Sequence, residues 1–194
     1  FESSWNLLTE HEKELFQQLS VFHGGFSLAA AQAVTGASVF DISVLVDKSL
    51  LNYIDERYEM HDLLRQFAED KLDEHAPQKD NVRFQHSEYY ANFLDERRKR
   101  LSKNIPKREY IDVLIDYENI IYAWEYAVAT RHEERIERFL RPMFHLLTVQ
   151  NDYVSGEELF DSAGKQLNAD PNQELSRIQA RTLLYKAIFA EAQS

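Results

Sequence analysis

Residues 50–70 read LLNYIDERYEMHDLLRQFAED, and this run changes from strand character to helix character within a few positions. Residues 50–54 are rich in strand-forming types, Asp55-Glu56 has the composition of a tight turn, and residues 57–60 can pair back as a second strand. Apolar residues at helical spacing then predict a helix from about residue 62 to residue 74. The pattern predicts a two-stranded wing followed directly by a helix.

Three short helices are predicted upstream of this wing. Thr9 and Glu12 have the spacing of a capping box, which marks the start of the first helix, and Gly24-Gly25 breaks the chain after it. Ser27 is the expected N-cap of the second helix, and Asp41 is the expected N-cap of the third. Three helices, a two-stranded wing and a closing helix together form a winged helix-turn-helix.

A domain boundary is predicted at Pro77, where a proline and a polar run follow the closing helix. We predict a winged-helix domain over residues 1–76 and a helical domain over residues 77–194. Apolar stripes at helical spacing continue through the second domain, with Pro142 as an expected kink. Such helices resemble stacked tetratricopeptide (TPR) units, and an irregular bundle is the alternative. The predicted fold class is mainly α: a winged helix followed by a TPR-like helical array.

The composition excludes several classes of function. Five glycines and four prolines in 194 residues favour helices over a sheet with many tight turns. The absence of cysteine excludes disulfides, zinc–thiolate sites and thiol catalysis. This absence also suits a cytoplasmic protein. No apolar run approaches the roughly 20 residues that a membrane span needs, so we expect no membrane partner. Because the chain begins at Phe1 rather than methionine, we expect a segment of a longer polypeptide.

The sequence contains no motif for catalysis or for metal binding. A phosphate-binding loop requires Gly-x-x-x-x-Gly-Lys-[Ser/Thr], and Gly164-Lys165 lacks the upstream glycine and the following hydroxyl residue. The stretches that begin at His11 and His132 start like zinc-protease helices but lack the second histidine. We therefore expect no catalytic residue, no metal site and no enzyme activity in this segment.

Three stretches of the first domain resemble the winged-helix domain of signal-transduction ATPases of the NB-ARC/AP-ATPase type, the STAND class. They are residues 19–31 (LSVFHGGFSLAAA), 45–51 (LVDKSLL) and 58–68 (YEMHDLLRQFA), the last of which contains the family's Met-His-Asp motif. Residues 117–124 (YENIIYAW) resemble the helix that opens the sensor region of bacterial members, many of which are transcriptional regulators. The resemblance covers most of residues 8–75 and, more weakly, the rest of the chain.

This resemblance implies a nucleotide-controlled switch. An upstream NTPase domain of the same polypeptide would hold ADP or ATP, and the winged helix would stabilise the ADP-bound off state. The helical array would sense a protein or small-molecule effector. Release and exchange of the nucleotide would then lead to oligomerisation of the active state.

The Met-His-Asp residues lie where the predicted closing helix begins. The first turn of a helix exposes unpaired N–H groups and a partial positive charge, which attract phosphate. His61 can direct a ring N–H toward such an anion, and in the family the corresponding histidine contacts the β-phosphate of ADP. Asp62 is expected to accept backbone hydrogen bonds that fix the turn, and Met60 to support it. In the structural alternative, Asp62 is only an N-cap, Met60 packs on the core and His61 is a surface side chain.

Two other functions fit the sequence less well. A DNA-binding winged-helix regulator needs cations on its third helix, but residues 40–48 carry one lysine and two aspartates. Residues 1–76 carry five basic and fourteen acidic residues, so DNA is a disfavoured partner. A scaffold of stacked helices would instead bind a protein partner independently of nucleotide. The cluster Arg97-Arg98-Lys99-Arg100 is either a nucleic-acid or anionic-lipid site or a solvated helix end, and the helix dipole favours the second interpretation.

Overall fold

A computed structural model describes residues 5–74, 76–101, 107–167 and 176–193, and it describes their side chains except at residues 76, 98–101 and 107–110. The chain divides into two compact units. Unit 1 comprises Phe1–Tyr89 and Ile115–Tyr122, and unit 2 comprises Tyr90–Leu114 and Ala123–Ser194. The described residues form ten helices and one three-stranded sheet.

Residues 115–122, from two later helices, belong to unit 1, and besides them the unit contains four complete helices and part of a fifth. Their bounds are α1 Glu10–Leu19, α2 Leu28–Thr35, α3 Val39–Asp47, α4 Asp62–Asp73 and α5 Ala76–Leu101, of which residues 76–89 belong to unit 1. The capping box of Thr9 and Glu12 is confirmed, and so is the N-cap at Ser27. The expected N-cap at Asp41 is wrong. Ser38 caps α3, because its Oγ accepts a hydrogen bond from Asp41 N at 3.2 Å while the Asp41 carboxylate accepts one from Ser38 N at 2.8 Å.

The sheet of unit 1 has one strand more than the predicted wing. Strands β2 (Asn52–Ile54) and β3 (Arg57–Glu59) form the expected hairpin, with Asp55 and Glu56 at φ values of 50° and 63° in its turn. Strand β1 (Gly25–Phe26) pairs antiparallel with the other edge of β3, which gives the order β1-β3-β2. Two residues are too few to produce a period in the sequence, so β1 could not be predicted.

The core of unit 1 lies between its helices and this sheet. Phe22 and Phe26 stack with ring centroids 4.5 Å apart, and both side chains are buried. The other fully buried large side chains of α1 and α3 are Phe16, Leu19, Ile42 and Leu45. Burial of these apolar side chains supplies the main stabilisation of the unit. The winged helix-turn-helix fold is confirmed.

Unit 2 is helical throughout its described residues. The remaining helices of the chain are α6 Lys107–Ile115, α7 Tyr117–Ala129, α8 Glu133–Gln150, α9 Tyr153–Leu167 and α10 Arg177–Glu191, and residues 115–122 of α6 and α7 belong to unit 1. Helices α8, α9 and α10 pack together, and α9 and α10 approach closely because Gly156 faces the Phe189 ring, which a Cβ at that position would meet at 2.8 Å. Pro142 lies inside α8 as expected. The mainly α fold class with a helical stack is confirmed, whereas the likeness to TPR units stays a prediction.

Within the described residues, no single helix is both long and apolar enough to cross a bilayer. The consecutive helices α2 and α3 reach the length and apolar content only as a pair, and they are bent by 111° relative to each other.

Candidate functional site at the start of helix α4

His61 lies at the junction between the wing and α4. Strand β3 ends at Glu59, Met60 is buried with 5% of its surface exposed, and His61 takes the N-cap position of α4. Since Met60 is held in the core, the connection after it has little freedom. The His61 side chain is exposed to solvent. Met60 therefore packs on the core and His61 is a surface side chain, as the structural alternative expects.

The His61 ring caps the helix itself. Its Nδ1 accepts a hydrogen bond from Leu63 N at 3.3 Å, and its carbonyl oxygen accepts from Leu64 N and Arg65 N at 2.8 and 2.9 Å. The capping residue is therefore His61, and the capping role expected of Asp62 is wrong. Because Nδ1 is an acceptor in the neutral ring, the proton resides on Nε2. The exposed edge of the imidazole thus presents an N–H donor to solvent.

Charged side chains surround the first turns of α4. Asp62 is exposed at the first helical position, and Arg65 lies one turn after His61. Arg65 donates to Glu69 at 2.9 Å, and Arg83 of α5 donates to the second oxygen of the same carboxylate at 3.0 Å. Arg83 also lies 3.9 Å from the carboxylate of Asp73, so both guanidinium groups are paired within the unit.

A second polar region of unit 1 surrounds Asn119 and is buried. Asn119 Oδ1 accepts from His23 N at 2.8 Å, and Asn119 Nδ2 donates to Gly25 O at 3.0 Å. The intervening Gly24 has a φ of 72°, a left-handed conformation that glycine adopts without strain. One fully buried side-chain amide therefore holds both ends of the turn that leads into β1.

An ion pair extends this region to the wing. Arg57 of β3 donates to Asp116 Oδ1 at 2.6 Å and to Gly25 O at 2.5 Å. The two charged side chains are 22% and 10% exposed. We refer to Asn119, Asp116, Arg57, His23 and His86 as the Asn119 cluster.

Two histidines of the cluster are held neutral. Burial, together with the nearby Arg65 guanidinium, lowers the pKa of His23 to about 4. Burial lowers the pKa of His86 to about 3, against the hydrogen bond that its Nε2 makes with Asn119 Oδ1 at 3.4 Å. The His23 ring also stacks on Tyr122. Protonation of either histidine would place a positive charge among buried groups, so the cluster is stable only when both are neutral.

The sequence did not reveal the Asn119 cluster as a unit. Residues 117–124 resemble a family helix, and His86 lies at helical spacing from the apolar residues Val82 and Tyr90 of its own helix. A polar residue inside such an apolar stripe is a usable indication of a buried hydrogen bond. The hydrogen-bond partner of His86, Asn119, is 33 residues away in the sequence, so only the fold could identify it.

The surface that a winged helix uses to bind DNA is not basic here, because its cations are already paired within unit 1. Lys48, at the end of α3, donates to Glu12 at 2.7 Å, and Arg57 of the wing is engaged by Asp116. On α3 itself, Val39 and Phe40 are 55% and 73% exposed. The cations near α3 and the wing are thus committed to contacts within unit 1.

The basic cluster at residues 97–100 is described only at Arg97. Its guanidinium lies 3.6 Å from the centroid of the Phe93 ring and donates to Phe93 O at 3.0 Å. The side chains of Arg98, Lys99 and Arg100 lie outside the described residues. No group of three His, Asp or Glu side chains among the described residues is arranged to hold a metal ion.

Fold and site together define a winged-helix unit whose chain continues into stacked helices. Part of this chain is similar to proteins named as helix-turn-helix (HTH)-type transcriptional regulators, from Mycobacterium bovis and from two strains of Mycobacterium tuberculosis. Each is 38% identical over 96 residues, a match that covers 44% of this chain and 11% of the relative. The chain thus spans about a ninth of the length of these curated relatives. No family model matches the chain, and no solved structure matches it significantly.

Proposed function

We propose that this chain is the regulatory segment of a STAND-type signalling ATPase that controls transcription. In this proposal the winged helix contacts ADP on an upstream NTPase core of the same polypeptide and holds the off state. The helical array senses a protein or small-molecule effector. The segment itself carries out no catalysis, and ADP or ATP is a cofactor of the longer protein only.

The proposal depends on one observation, the exposed ring of His61 at the N-terminus of α4. Its Nδ1 accepts the capping hydrogen bond from Leu63 N, so Nε2–H is the remaining donor of the ring. The same hydrogen bond orients the ring before any ligand binds. A fixed N–H donor beside the positive end of a helix dipole suits a phosphate oxygen. The length of the matched relatives is consistent with a parent protein that has further domains.

Regulation would follow from different affinities of the effector for the two states. A ligand shifts such an equilibrium only by the difference in its binding free energies. Helix α7 offers a connection for this coupling, since residues 117–122 belong to unit 1 and residues 123–129 to unit 2. Asn119 ties the beginning of this segment to the turn before β1, and the preceding residue Asp116 pairs with Arg57 of β3. Loss of the ADP contact would then permit exchange and oligomerisation.

The test is the amount of ADP that the parent protein retains through purification. His61→Ala removes the donor, and Asp62→Val changes the neighbouring position without removing the ring. We expect His61→Ala to lose most of its ADP and to raise basal activity. His11→Ala is the matched control, because His11 is another exposed histidine of the same unit. Unchanged nucleotide content in both His61→Ala and Asp62→Val would remove the site from the proposal.

The same protein preparation also distinguishes a nucleotide-controlled switch from a scaffold that binds its partner independently of nucleotide. Binding of a protein partner with equal affinity to the ADP-bound and nucleotide-free forms would favour the scaffold. A change in partner affinity of about tenfold or more between the two forms corresponds to a coupling free energy of at least 1.4 kcal/mol and favours the switch.

Direct DNA binding by the winged helix is the second candidate, and the names of the matched relatives favour it. Against it stand the committed cations Lys48 and Arg57 and the apolar surface of α3. A gel shift of this chain with duplex DNA at low salt separates the two candidates. We expect no retardation, whereas retardation that weakens steeply with salt would favour DNA binding.

A further inference from the structure

Unit 2 contains a cleft with several arginines that the proposed function leaves without a specific role. The cleft has a volume of about 410 Å³ and is lined by Asp95, Glu137, Arg138, Arg141, Arg181 and Tyr185. Small-molecule sites in proteins typically have volumes of about 300–1,000 Å³. Three arginines against two carboxylates make this lining positive, although the chain as a whole carries a net charge of −11.

The arrangement of charges leaves one arginine unpaired. Glu137 and Arg141 are four residues apart on α8, the spacing at which such residues commonly form a pair. Glu137 instead pairs with Arg181 of α10. Arg141 lines the cleft and is exposed, and no described residue forms a hydrogen bond or an ion pair with its guanidinium. Arg141 is therefore free to pair with a ligand.

The neighbouring donors are held in place by the fold. Arg138 Nη1 donates to the side-chain oxygen of Asn92 at 2.5 Å, which orients its guanidinium. The Tyr185 ring stacks on Phe144 with centroids 4.2 Å apart and meets Phe160 edge-on at 5.5 Å. The Tyr185 hydroxyl has no hydrogen-bond partner among the described residues. A rigid hydroxyl and oriented guanidinium groups need little further ordering when a ligand binds.

We propose that this cleft binds a small organic anion whose phosphate or carboxylate group pairs with Arg141. The planar guanidinium fork matches both oxyanions with two parallel hydrogen bonds. Tyr185 would donate to the same oxyanion, and Arg138 and Arg181 would add positive potential. The inference rests on the proposed function in one respect, namely that this anion is the effector. The binding itself involves residues of unit 2 alone and does not depend on that function.

Calorimetric titration of this chain at low ionic strength tests the proposal. Phenyl phosphate and benzoate are the probes, with phenol as the neutral analogue, and the relative affinity of the two anions identifies the preferred oxyanion. We expect saturable binding of at least one anion at roughly 1 mM or tighter and none of phenol. Arg141→Gln should weaken that binding about tenfold, the effect of losing a charged hydrogen bond. Tyr185→Phe, which removes a single oxygen atom, should weaken it severalfold.

Arg177→Gln is the matched control, because Arg177 is exposed on α10 and does not line the cleft. The affinity of this variant should stay within twofold of the original. The proposal is overturned if neither anion binds saturably to the unaltered chain. It is also overturned if Arg177→Gln weakens binding as much as Arg141→Gln does, which would indicate a general effect of charge. Neither result would bear on ADP retention by the parent protein, so the two proposals can fail separately.

Discussion

Unit 1 contains two polar regions with opposite properties. In the Asn119 cluster, the side chains of Asn119, Asp116 and Arg57 are satisfied by partners within the unit, His23 Nε2 has no hydrogen-bond partner among the described residues, and two histidines are held neutral by burial. At the start of α4, the exposed His61 ring uses one nitrogen for the helix cap and presents the other to solvent. Buried polar groups must be paired within the protein, whereas an exposed and oriented donor is available to a ligand. The first region is therefore expected to control stability, and the second to control binding.

Loss of the Asn119 amide is expected to produce the largest effect on stability. Asn119→Ala leaves His23 N without its partner in a partly buried place, at a cost of about 1–3 kcal/mol, whereas Gly25 O keeps the hydrogen bond from Arg57. We expect a loss of about 2–3 kcal/mol in the free energy of unfolding, measured by urea denaturation. Asn52→Ala, at an exposed position of β2, is the control and should change stability by less than about 0.5 kcal/mol. Equal losses in the two variants would contradict the structural role of the cluster.

The buried histidines predict a dependence of stability on pH. His86 is neutral in the folded chain down to a pKa of about 3, whereas in the unfolded chain it takes up a proton below about pH 6.5. Between these values the unfolded state binds more protons, so stability falls as the pH falls below 6.5. The slope is about 1.4 kcal/mol per pH unit for each such histidine.

Between pH 6.5 and pH 4.5, His86→Gln should reduce the change in the free energy of unfolding with pH by the contribution of one histidine. Urea denaturation of both proteins at several pH values measures it. His11→Gln serves as the comparison, because the His11 side chain is 70% exposed. A slope that His86→Gln leaves unchanged would show that the ring is not buried in the neutral form.

The ion pair of Arg57 and Asp116 should contribute less than the Asn119 amide. Asp116→Asn keeps the shape of the side chain but removes the charge that faces Arg57. Since both side chains retain some exposure to solvent, we expect a loss of about 1–2 kcal/mol in the free energy of unfolding. The loss should shrink in high salt, because dissolved ions screen the pair. An effect that does not depend on salt would indicate packing instead of charge.

His61→Ala should have the smallest effect on the stability of this chain. The substitution removes one helix cap at an exposed position, which costs about 1 kcal/mol or less. Thermal denaturation measures the change. A loss as large as that in Asn119→Ala would contradict the distinction between the two regions, because it would make His61 a structural residue.

Local elements could be predicted from the sequence, and contacts between distant elements could not. The capping box at Thr9 and Glu12, the hairpin turn at Asp55-Glu56 and the start of α4 all depend on neighbouring residues. The cap of α3 was misplaced because Ser38 and Asp41 are both good N-caps, and they form one capping box.

The candidate site was predicted only in part, for a related reason. His61 follows directly from the start of a helix, so its position and exposure could be expected. The His61 ring caps the helix in place of Asp62, and this depends on side-chain geometry that the sequence does not specify. The Asn119 cluster joins residues separated by up to 96 positions, which no local pattern encodes.

The rate at which bound ADP leaves the parent protein tests the central claim most directly. A fluorescent ADP analogue, displaced by excess unlabelled ADP, reports this rate in a stopped-flow instrument. Loss of one charged hydrogen bond to phosphate should accelerate release about tenfold to a hundredfold in His61→Ala. His11→Ala should release the analogue at the unaltered rate. Equal release rates from His61→Ala and the unaltered protein would contradict a contact between His61 and the nucleotide.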